Sequence, residues 1–246
     1  MKVVILAGGY GTRIAEETDN KPKPMVEIGG MPILLHIMKY YSFYGHNDFI
    51  ICCGYKHEII ENYFNNSSLR KKHGVSQDWN INLINTGEKT MTGGRLKRIE
   101  GFIDKGEDFL FTYGDGLSDV NIDKLTDFHK SKNSMCTVTA VFPPSRFGAL
   151  EIDNEEFKVL SFREKPHNDT QMINGGYFVL NQEIFKFIDN DQTVWEKEPM
   201  ERIVKIGKLY AYKHRGFFGP MDTLREKRSL ENMWLNNKAQ WKIWSN

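Results

Sequence analysis

Apolar residues follow two alternating patterns along this chain, and together these predict its secondary structure. The first pattern is a short, continuous apolar run such as residues 2–7, which stops at two glycines. Such a run is typical of a strand that is buried on both faces of a sheet. Further strands are predicted over residues 49–53, 79–84, 108–113 and 137–142.

The second pattern places apolar residues three or four positions apart, which predicts amphipathic helices. Ile33, Leu34 and Ile37 begin one helix directly behind Pro32, a residue that suits the first helical turn, and Gly45 suits the helix end. Helices are also predicted over residues 58–64, 95–103, 121–130, 195–206 and 224–236. The polar stretch 65–76 predicts an exposed, mobile loop.

The order of these elements predicts an α/β fold. Strands that alternate with helices indicate a mostly parallel sheet with right-handed crossovers. Strand-like segments at 149–152, 157–162 and 175–180 follow one another closely, so antiparallel strands are expected to extend a mixed sheet in the second half. The chain has 246 residues, and without a repeat or linker we expect one domain over 1–246.

Composition and charge exclude several classes of function. The chain carries 33 basic and 32 acidic side chains, a net charge of +1, and lacks the basic stripe of a nucleic-acid binder. No apolar run is long enough to predict a membrane span. Cys52, Cys53 and Cys136 have no metal-ligand spacing and are expected to be buried free thiols in a reducing cytoplasm. The seven histidines form no paired motif, and we expect them to be structural or solvated.

The loop behind the first strand has the features of a phosphate site. Residues 8–13 read Gly-Gly-Tyr-Gly-Thr-Arg, and glycines allow backbone N–H groups to approach an anion closely. The guanidinium of Arg13 suits phosphate oxygens. The segment is neither a P-loop, which needs Lys where Thr12 stands, nor a dinucleotide fingerprint, because Ile14 replaces the third glycine.

A second basic segment follows at Lys21-Pro22-Lys23-Pro24. Its prolines stiffen the backbone, so Lys21 and Lys23 can be held over a phosphate chain. Each segment alone is more often a glycine-rich turn or a solvated basic loop. The two in this order behind an N-terminal strand favour a cradle for nucleotide phosphates.

Asp115 is a candidate ligand of a cation, and Asp222 offers a second carboxylate near the C-terminus. Asp115 follows the strand 108–113 between two glycines, where it forms either an Asp-Gly turn or a ligand of a hard cation. Ligands of such sheets bind beyond the carboxyl ends of the strands, so Asp115 is expected beside residues 8–13, and Mg²⁺ is the economical explanation. The local sequence predicts that Asp222 is the N-cap of the helix that begins near Leu224.

These motifs resemble those of the sugar-1-phosphate nucleotidyltransferases, almost end to end. The resemblance is carried by residues 5–13, 21–30, 91–98, 112–116, 146–150, 164–166, 173–176 and 220–225. Residues 91–98 and the tryptophans Trp234, Trp241 and Trp244 resemble more narrowly the glucose-1-phosphate cytidylyltransferases. The stretch between Tyr63 and Asn80 is shorter than is usual in the family.

The resemblance implies a Rossmann-like fold and the reaction of CTP with α-D-glucose 1-phosphate, which gives CDP-glucose and pyrophosphate. It implies Mg²⁺ as cofactor and an in-line attack that needs no general base. A nucleotide-binding half of about 1–130 and a sugar-binding half of about 131–246 are expected. The protein is expected to be cytoplasmic and to form a homo-oligomer, a hexamer by resemblance. It is expected to serve polysaccharide or O-antigen biosynthesis. No nucleic-acid or membrane partner is expected.

The resemblance also assigns roles to single residues. Arg13 would face the departing pyrophosphate, Lys23 would neutralise the α-phosphate, and Asp115 and Asp222 would hold Mg²⁺. The nucleotide would lie against Leu6, Gly8, Gly9, Gly11 and Thr12, with its base near Thr86, Gly93 and Arg95. The sugar would lie against Gly148, Glu164 and Gly176, with its phosphate on Lys165.

Two alternatives stay open on the sequence alone. A sister enzyme of the same family could use another nucleoside triphosphate or another sugar 1-phosphate, because cytosine and uracil differ at one exocyclic group and one ring proton. A non-catalytic nucleotide-sensing domain could share the fold. The joint presence of Arg13, Lys23, Asp115 and Asp222 argues against a sensor, which does not need a cluster for metal and phosphate.

Overall fold

The computed structural model of the protein describes residues 1–143, 149–153, 155, 158–163 and 171–245. Its strands are β1 (Lys2–Ala7), β2 (Glu27–Ile28), β3 (Met31–Pro32), β4 (Asp48–Cys53), β5 (Asn80–Asn85), β6 (Asp108–Tyr113), β7 (Gly116–Ser118), β8 (Cys136–Val141), β9 (Ala149–Ile152), β10 (Val159–Arg163), β11 (Ile173–Asn181), β12 (Leu209–Lys213) and β13 (Phe218–Pro220). Its α-helices are α1 (Ala15–Thr18), α2 (Ile33–Phe43), α3 (His57–Asn65), α4 (Ser67–Lys72), α5 (Thr92–Lys97), α6 (Ile122–Ser131), α7 (Glu198–Lys205) and α8 (Leu224–Leu235).

A seven-stranded sheet forms the centre of the described structure, in the order β12-β8-β11-β6-β1-β4-β5. Strand β11 pairs antiparallel with both β6 and β8, and the other pairings are parallel. Antiparallel pairs β9–β10, β7–β13 and β2–β3 lie outside it. The predicted fold class, a mixed and mostly parallel sheet with an antiparallel extension in the second half, is confirmed.

Helices cover both faces of this sheet because its strands are apolar on both sides. Along β1, Val3 and Ile5 pack into one core with α2, α3 and α6. Val4 and Leu6 point the other way, into a second core with α5 and α7. Neighbouring positions of a strand face opposite sides, so one short apolar run contributes to two cores. The result is a three-layer arrangement that fixes β1 at its middle.

The topology brings distant segments to one edge of the sheet. Strands β1, β4, β5 and β6 run in the same direction, so the loops after their carboxyl ends meet there. Because β11 runs the other way, its first residues reach that edge instead. The chain passes from β1 to β4 on one side and has β6 on the other, and such a reversal of strand order opens a crevice for ligands.

Some expected elements differ from the structure. Residues 65–76 are not an irregular loop: α3 continues to Asn65, and α4 begins behind Asn66, whose side-chain oxygen accepts a hydrogen bond from the Leu69 N–H at 3.1 Å. This N-cap satisfies one of the backbone N–H groups that the first turn of α4 leaves without an intrahelical partner. The helix expected over 95–103 is instead α5 followed by a 3₁₀ turn at Glu100–Phe102. The edge strand β12 was not predicted, because its side chains are only partly buried.

The composition of the chain led to predictions about its cysteines and about membrane-spanning helices. Cys52, Cys53 and Cys136 are free and buried, as predicted, and burial raises the pKa of each thiol. Within the described ranges, every helix is too short or too polar to cross a bilayer.

Candidate active site

A cavity of about 680 Å³ lies at the carboxyl edge of the sheet, between the loop after β1 and the end of β6. The segment before α5 forms another wall. Of the residues singled out from the sequence, the cavity is lined by Leu6, Gly8, Gly9, Gly11, Thr12, Arg13, Lys23, Arg95 and Asp115. These residues come from widely separated parts of the chain and share one volume.

The glycine-rich loop turns sharply at Gly11. Its φ of +67° is in the left-handed region that favours glycine, and a Cβ there would lie 2.9 Å from the Thr18 methyl group. Thr18 Oγ1 donates to the Gly11 carbonyl at 3.1 Å, and the Ile14 N–H donates to the same oxygen at 3.0 Å. The chain then enters a 3₁₀ turn at Thr12–Ile14, which brings Arg13 to the cavity.

Four charged side chains meet at one end of the cavity. Lys23 Nζ lies 2.6 Å from a carboxylate oxygen of Asp115 and 2.6 Å from one of Asp222. The other oxygen of Asp222 is 3.0 Å from the guanidinium of Arg13. The Lys23 side chain is only 10% exposed and the Arg13 side chain is 72% exposed. The buried ammonium is therefore fixed, whereas the guanidinium can turn towards an incoming ligand.

The charges of this cluster stabilise one another. Burial disfavours the ammonium of Lys23, but the carboxylates of Asp115 and Asp222 outweigh it and raise the pKa of Lys23 above its ordinary value. Burial also disfavours the carboxylate of Asp222, yet its contacts with Lys23 and then Arg13 lower the pKa of Asp222 below the ordinary value. Lys23 and Asp222 therefore both carry their charge at neutral pH.

Asp222 does not cap α8, contrary to the local prediction. The N-cap is Thr223, whose Oγ1 accepts from the Glu226 N–H at 3.3 Å. The Glu226 carboxylate in turn accepts from the N–H groups of Asp222 and Thr223, both at 2.9 Å. This capping box binds the backbone at Asp222 and leaves its carboxylate free to reach Lys23.

The cluster has the donor chemistry of a magnesium site. The carboxylates of Asp115 and Asp222 converge on one cation, the ammonium of Lys23. The described residues hold no group of three or more His, Cys, Asp or Glu side chains placed to bind a metal by themselves. Mg²⁺ commonly binds through one or two carboxylates together with substrate phosphates and water, so this pair fits that ion in the presence of a phosphate ligand.

Arg95 supports the cavity from inside the protein. It is 4% exposed, and its guanidinium donates to the carbonyls of Gly8 (2.9 Å), Cys53 (3.2 Å) and Gly87 (2.7 Å). It thereby joins the carboxyl ends of β1, β4 and β5. Burial lowers the pKa of Arg95, but guanidinium remains charged in proteins. Its positive charge lies directly behind the glycine-rich loop.

The structure places Thr86 and Gly93 behind the cavity wall instead of on it. Thr86 is fully buried; its Oγ1 donates to the Cys53 carbonyl at 2.7 Å and accepts from Arg95 at 2.8 Å. Gly93 packs so closely against Thr193 that a Cβ would lie 2.7 Å from its carbonyl oxygen. Thr86 is bonded to Arg95, and Gly93 follows Thr92 in the chain; Arg95 and Thr92 are the residues that line the cavity.

A smaller cavity of about 250 Å³ adjoins the first. Gly176 lines it at the start of β11, together with Asn174, Asp115 and Asp222. Three other residues expected at the sugar, Gly148, Glu164 and Lys165, lie outside the described residues. The two cavities meet at Arg13 and Asp115, in the charged cluster.

Sequence reasoning missed several lining residues. Tyr113 lines both cavities, and its place at the end of a predicted strand, just before Gly114-Asp115, was the available signal. Residues 88–92 line the larger cavity ahead of α5, and Gln192 reaches it from a turn held against α5. Nothing local in the sequence indicates Gln192, because its position depends on a contact between distant segments.

A family model and two curated relatives all match this chain over most of its length. The family model described as "Nucleotidyl transferase" matches residues 2–218. The glucose-1-phosphate cytidylyltransferase of Salmonella typhi is 52% identical over 258 aligned residues, which cover 99% of this chain and 100% of that protein. The probable glucose-1-phosphate cytidylyltransferase of Bacillus subtilis (strain 168) is 40% identical with the same coverage.

Solved structures share the fold. HddC from Yersinia pseudotuberculosis, complexed with GMP-PN, superposes with a TM-score of 0.70 at 26% identity and covers 95% of this chain and 99% of its own. A UDP-glucose pyrophosphorylase complexed with UDP-glucose gives a TM-score of 0.72 at 18% identity, covering 96% and 98%. At that identity the second likeness concerns the fold alone.

Proposed function

Because the chain belongs to the nucleotidyl transferase family, we propose that it transfers a cytidylyl group from CTP to α-D-glucose 1-phosphate, releasing pyrophosphate and CDP-glucose. The observation that carries this proposal is the cluster of Arg13, Lys23, Asp115 and Asp222 where two adjoining cavities meet. Full-length similarity to glucose-1-phosphate cytidylyltransferases supports the choice of substrates.

The reaction joins two polyanions, so the protein has to position them and to balance their charge. An oxygen of the sugar phosphate attacks the α-phosphorus of CTP in line, and the bond to pyrophosphate breaks. The attacking oxygen is already ionised, so no general base is required. Lys23 stabilises charge at the α-phosphate and Arg13 receives the departing pyrophosphate. Fixed cations at a developing charge are worth several kcal/mol to such a transition state, about 3 kcal/mol or more each.

Magnesium would be held by Asp115 and Asp222 together with phosphate oxygens of the substrate. When bound, the ion would supply Lewis-acid stabilisation of the phosphoryl charge. The same two carboxylates are ion-paired with Lys23. If they held the ion, the ammonium of Lys23 would be available to the phosphate oxygens of the substrates.

The two cavities provide separate places for the two substrates. The larger one, with Leu6, Gly8, Gly9, Gly11 and Thr12, takes the nucleotide. Of the three residues assigned to the base, Arg95 reaches the lining, while Thr86 and Gly93 support it from behind. The smaller cavity takes the sugar phosphate at Gly176, and we assign Gly148, Glu164 and Lys165 to the same substrate on the resemblance.

Three further parts of the proposal concern the whole chain. Residues 1–246 act as one catalytic domain, with the nucleotide-binding half at about 1–130 and the sugar-binding half at about 131–246. The enzyme works in the cytoplasm as a homo-oligomer, a hexamer by resemblance, which light scattering on the purified protein would measure. Its product feeds polysaccharide or O-antigen biosynthesis.

A substrate panel tests the activity directly. Pyrophosphate release is measured with CTP, UTP, dTTP, GTP and ATP, each against several hexose 1-phosphates, in the presence of MgCl₂. We expect the highest kcat/KM for CTP with glucose 1-phosphate. A higher value for another pair would show a sister enzyme of the family. Nucleotide binding without turnover for every pair would show a sensing domain and would refute the proposal.

A further inference from the structure

Tyr113 stands where the two cavities meet. Among the described residues, three line both cavities: Arg13, Tyr113 and Asp115. Arg13 and Asp115 carry charges that the proposed reaction uses, whereas Tyr113 contributes an aromatic ring and a neutral hydroxyl. The ring of Tyr113 therefore forms part of the wall between the proposed nucleotide and sugar-phosphate subsites.

The ring is fixed on its apolar side. It packs edge-on against Phe111 and Phe178, with centroid distances of 5.5 and 6.0 Å. On the side of the smaller cavity the backbone of Gly176 approaches it, with a φ of +77°. A Cβ at Gly176 would lie 2.9 Å from Cδ2 of the ring. Any side chain at Gly176 would have to displace the ring from its place.

The hydroxyl is fixed by a chain of hydrogen bonds to another layer of the fold. Tyr113 donates to the carboxylate of Glu196, whose second oxygen accepts from Thr92 Oγ1 at 2.6 Å. The same Thr92 oxygen accepts from the Trp195 N–H at 2.9 Å. The ring hydroxyl is therefore connected, through Glu196 and Thr92, to the start of α5 and to the segment before α7.

We propose that Tyr113, locked by Glu196, is a positioning residue that sets the distance between the sugar phosphate and the α-phosphate of the nucleotide. This inference rests on the proposed transfer reaction. In-line attack requires the reacting atoms at about 3–3.5 Å, and a misplacement of about 1 Å can cost on the order of a hundredfold in rate. A ring without its hydrogen bond keeps its bulk but gains freedom to tilt into either cavity.

A double-mutant cycle tests the lock. Tyr113→Phe keeps the ring and loses the donor, and Glu196→Ala removes the acceptor. We expect each to lower kcat on the order of ten- to a hundredfold, with the Kd for CTP and the melting temperature unchanged. The double variant should be no slower than the slower single one, because both changes break one bond. Tyr212→Phe on the edge strand and Glu201→Ala on the exposed face of α7 are matched controls expected to behave as wild type.

Several results would overturn the inference. One is a double variant whose loss is the product of the single losses, and another is a Tyr113→Phe protein with wild-type kcat. Glu196→Gln, which keeps an acceptor, must retain more activity than Glu196→Ala at a matched melting temperature, and equal activities would also refute the lock. If wild type makes CDP-glucose while the cycle is multiplicative, only the lock fails. A wild type without transfer activity would refute the proposed function itself.

Discussion

Lys23 is the residue at which stability and catalysis depend on the same charge. It separates two carboxylates in the folded protein and is the buried cation beside the proposed α-phosphate site. We expect Lys23→Ala to lower kcat on the order of 10²–10³-fold. We also expect a lower melting temperature, because Asp115 and Asp222 then lose the ammonium between them, and only the exposed Arg13 still pairs with Asp222. MgCl₂ should raise that melting temperature more than it raises that of wild type, since Lys23 no longer competes with the ion for the two carboxylates.

Lys21→Ala is the matched control. Lys21 belongs to the same basic segment, but it does not line the larger cavity. Its variant should keep kcat and should show the same response to MgCl₂ as wild type in thermal unfolding. Near-normal turnover of Lys23→Ala, or an equal effect of MgCl₂ on the two variants, would contradict the role of Lys23.

At the scale of elements, the start of α8 links folding to the site. Thr223→Ala removes the side-chain cap, which typically costs about 1 kcal/mol of unfolding free energy. Because the same capping box holds the backbone N–H of Asp222, we also expect kcat to fall. Denaturant unfolding and steady-state kinetics on Thr223→Ala and Thr223→Ser measure the two effects.

Asn121→Ala provides the comparison, since Asn121 caps α6 by accepting from the Lys124 N–H at 2.8 Å and does not line either cavity. It should lose a similar unfolding free energy and keep its kcat. If both cap variants lose activity in parallel, the loss at Thr223→Ala reflects stability alone and the link to Asp222 is wrong.

The elements also show what sequence could and could not predict. The apolar runs of β1 and β6 and the glycine-rich loop are local signals, so their place in the fold followed from the sequence. The cap of α8 was misassigned although Thr223 and Glu226 have the spacing of a capping box. The bond from Tyr113 to Glu196 joins residues 83 positions apart. Such a contact exists only after folding has brought the end of β6 against the segment that precedes α7.

At the scale of the whole molecule, the C-terminal segment is fastened to the first half of the chain through His36. Trp241 Nε1 donates to His36 Nδ1 at 3.2 Å, and His36 Nε2 donates to the Ile28 carbonyl at 2.8 Å. The imidazole is fully buried, with Trp234 edge-on at 4.8 Å. These two contacts require the neutral ring with its proton on Nε2, because protonated Nδ1 would face the indole N–H.

This arrangement predicts how stability depends on pH. Burial lowers the pKa of His36 from 6.5 to about 4, so between these values the unfolded chain binds a proton that the folded protein does not. The contribution of His36 to the unfolding free energy is therefore complete above pH 6.5 and is lost as pH falls towards 4. At pH 5 the loss is about 2 kcal/mol. Urea unfolding of wild type and His36→Gln at pH 7 and pH 5 measures it.

The variant His36→Gln should be less stable at pH 7 but lose less unfolding free energy between pH 7 and pH 5 than wild type. His46 contributes in the same direction, because burial, with the N-terminal ammonium beside it, lowers its pKa to about 4. The double variant with His46→Gln should therefore show a flatter pH dependence than His36→Gln alone. An equal loss in wild type and His36→Gln would mean that the tryptophan-lined histidine does not couple the C-terminal segment to pH, and that other groups cause the acid sensitivity of the fold.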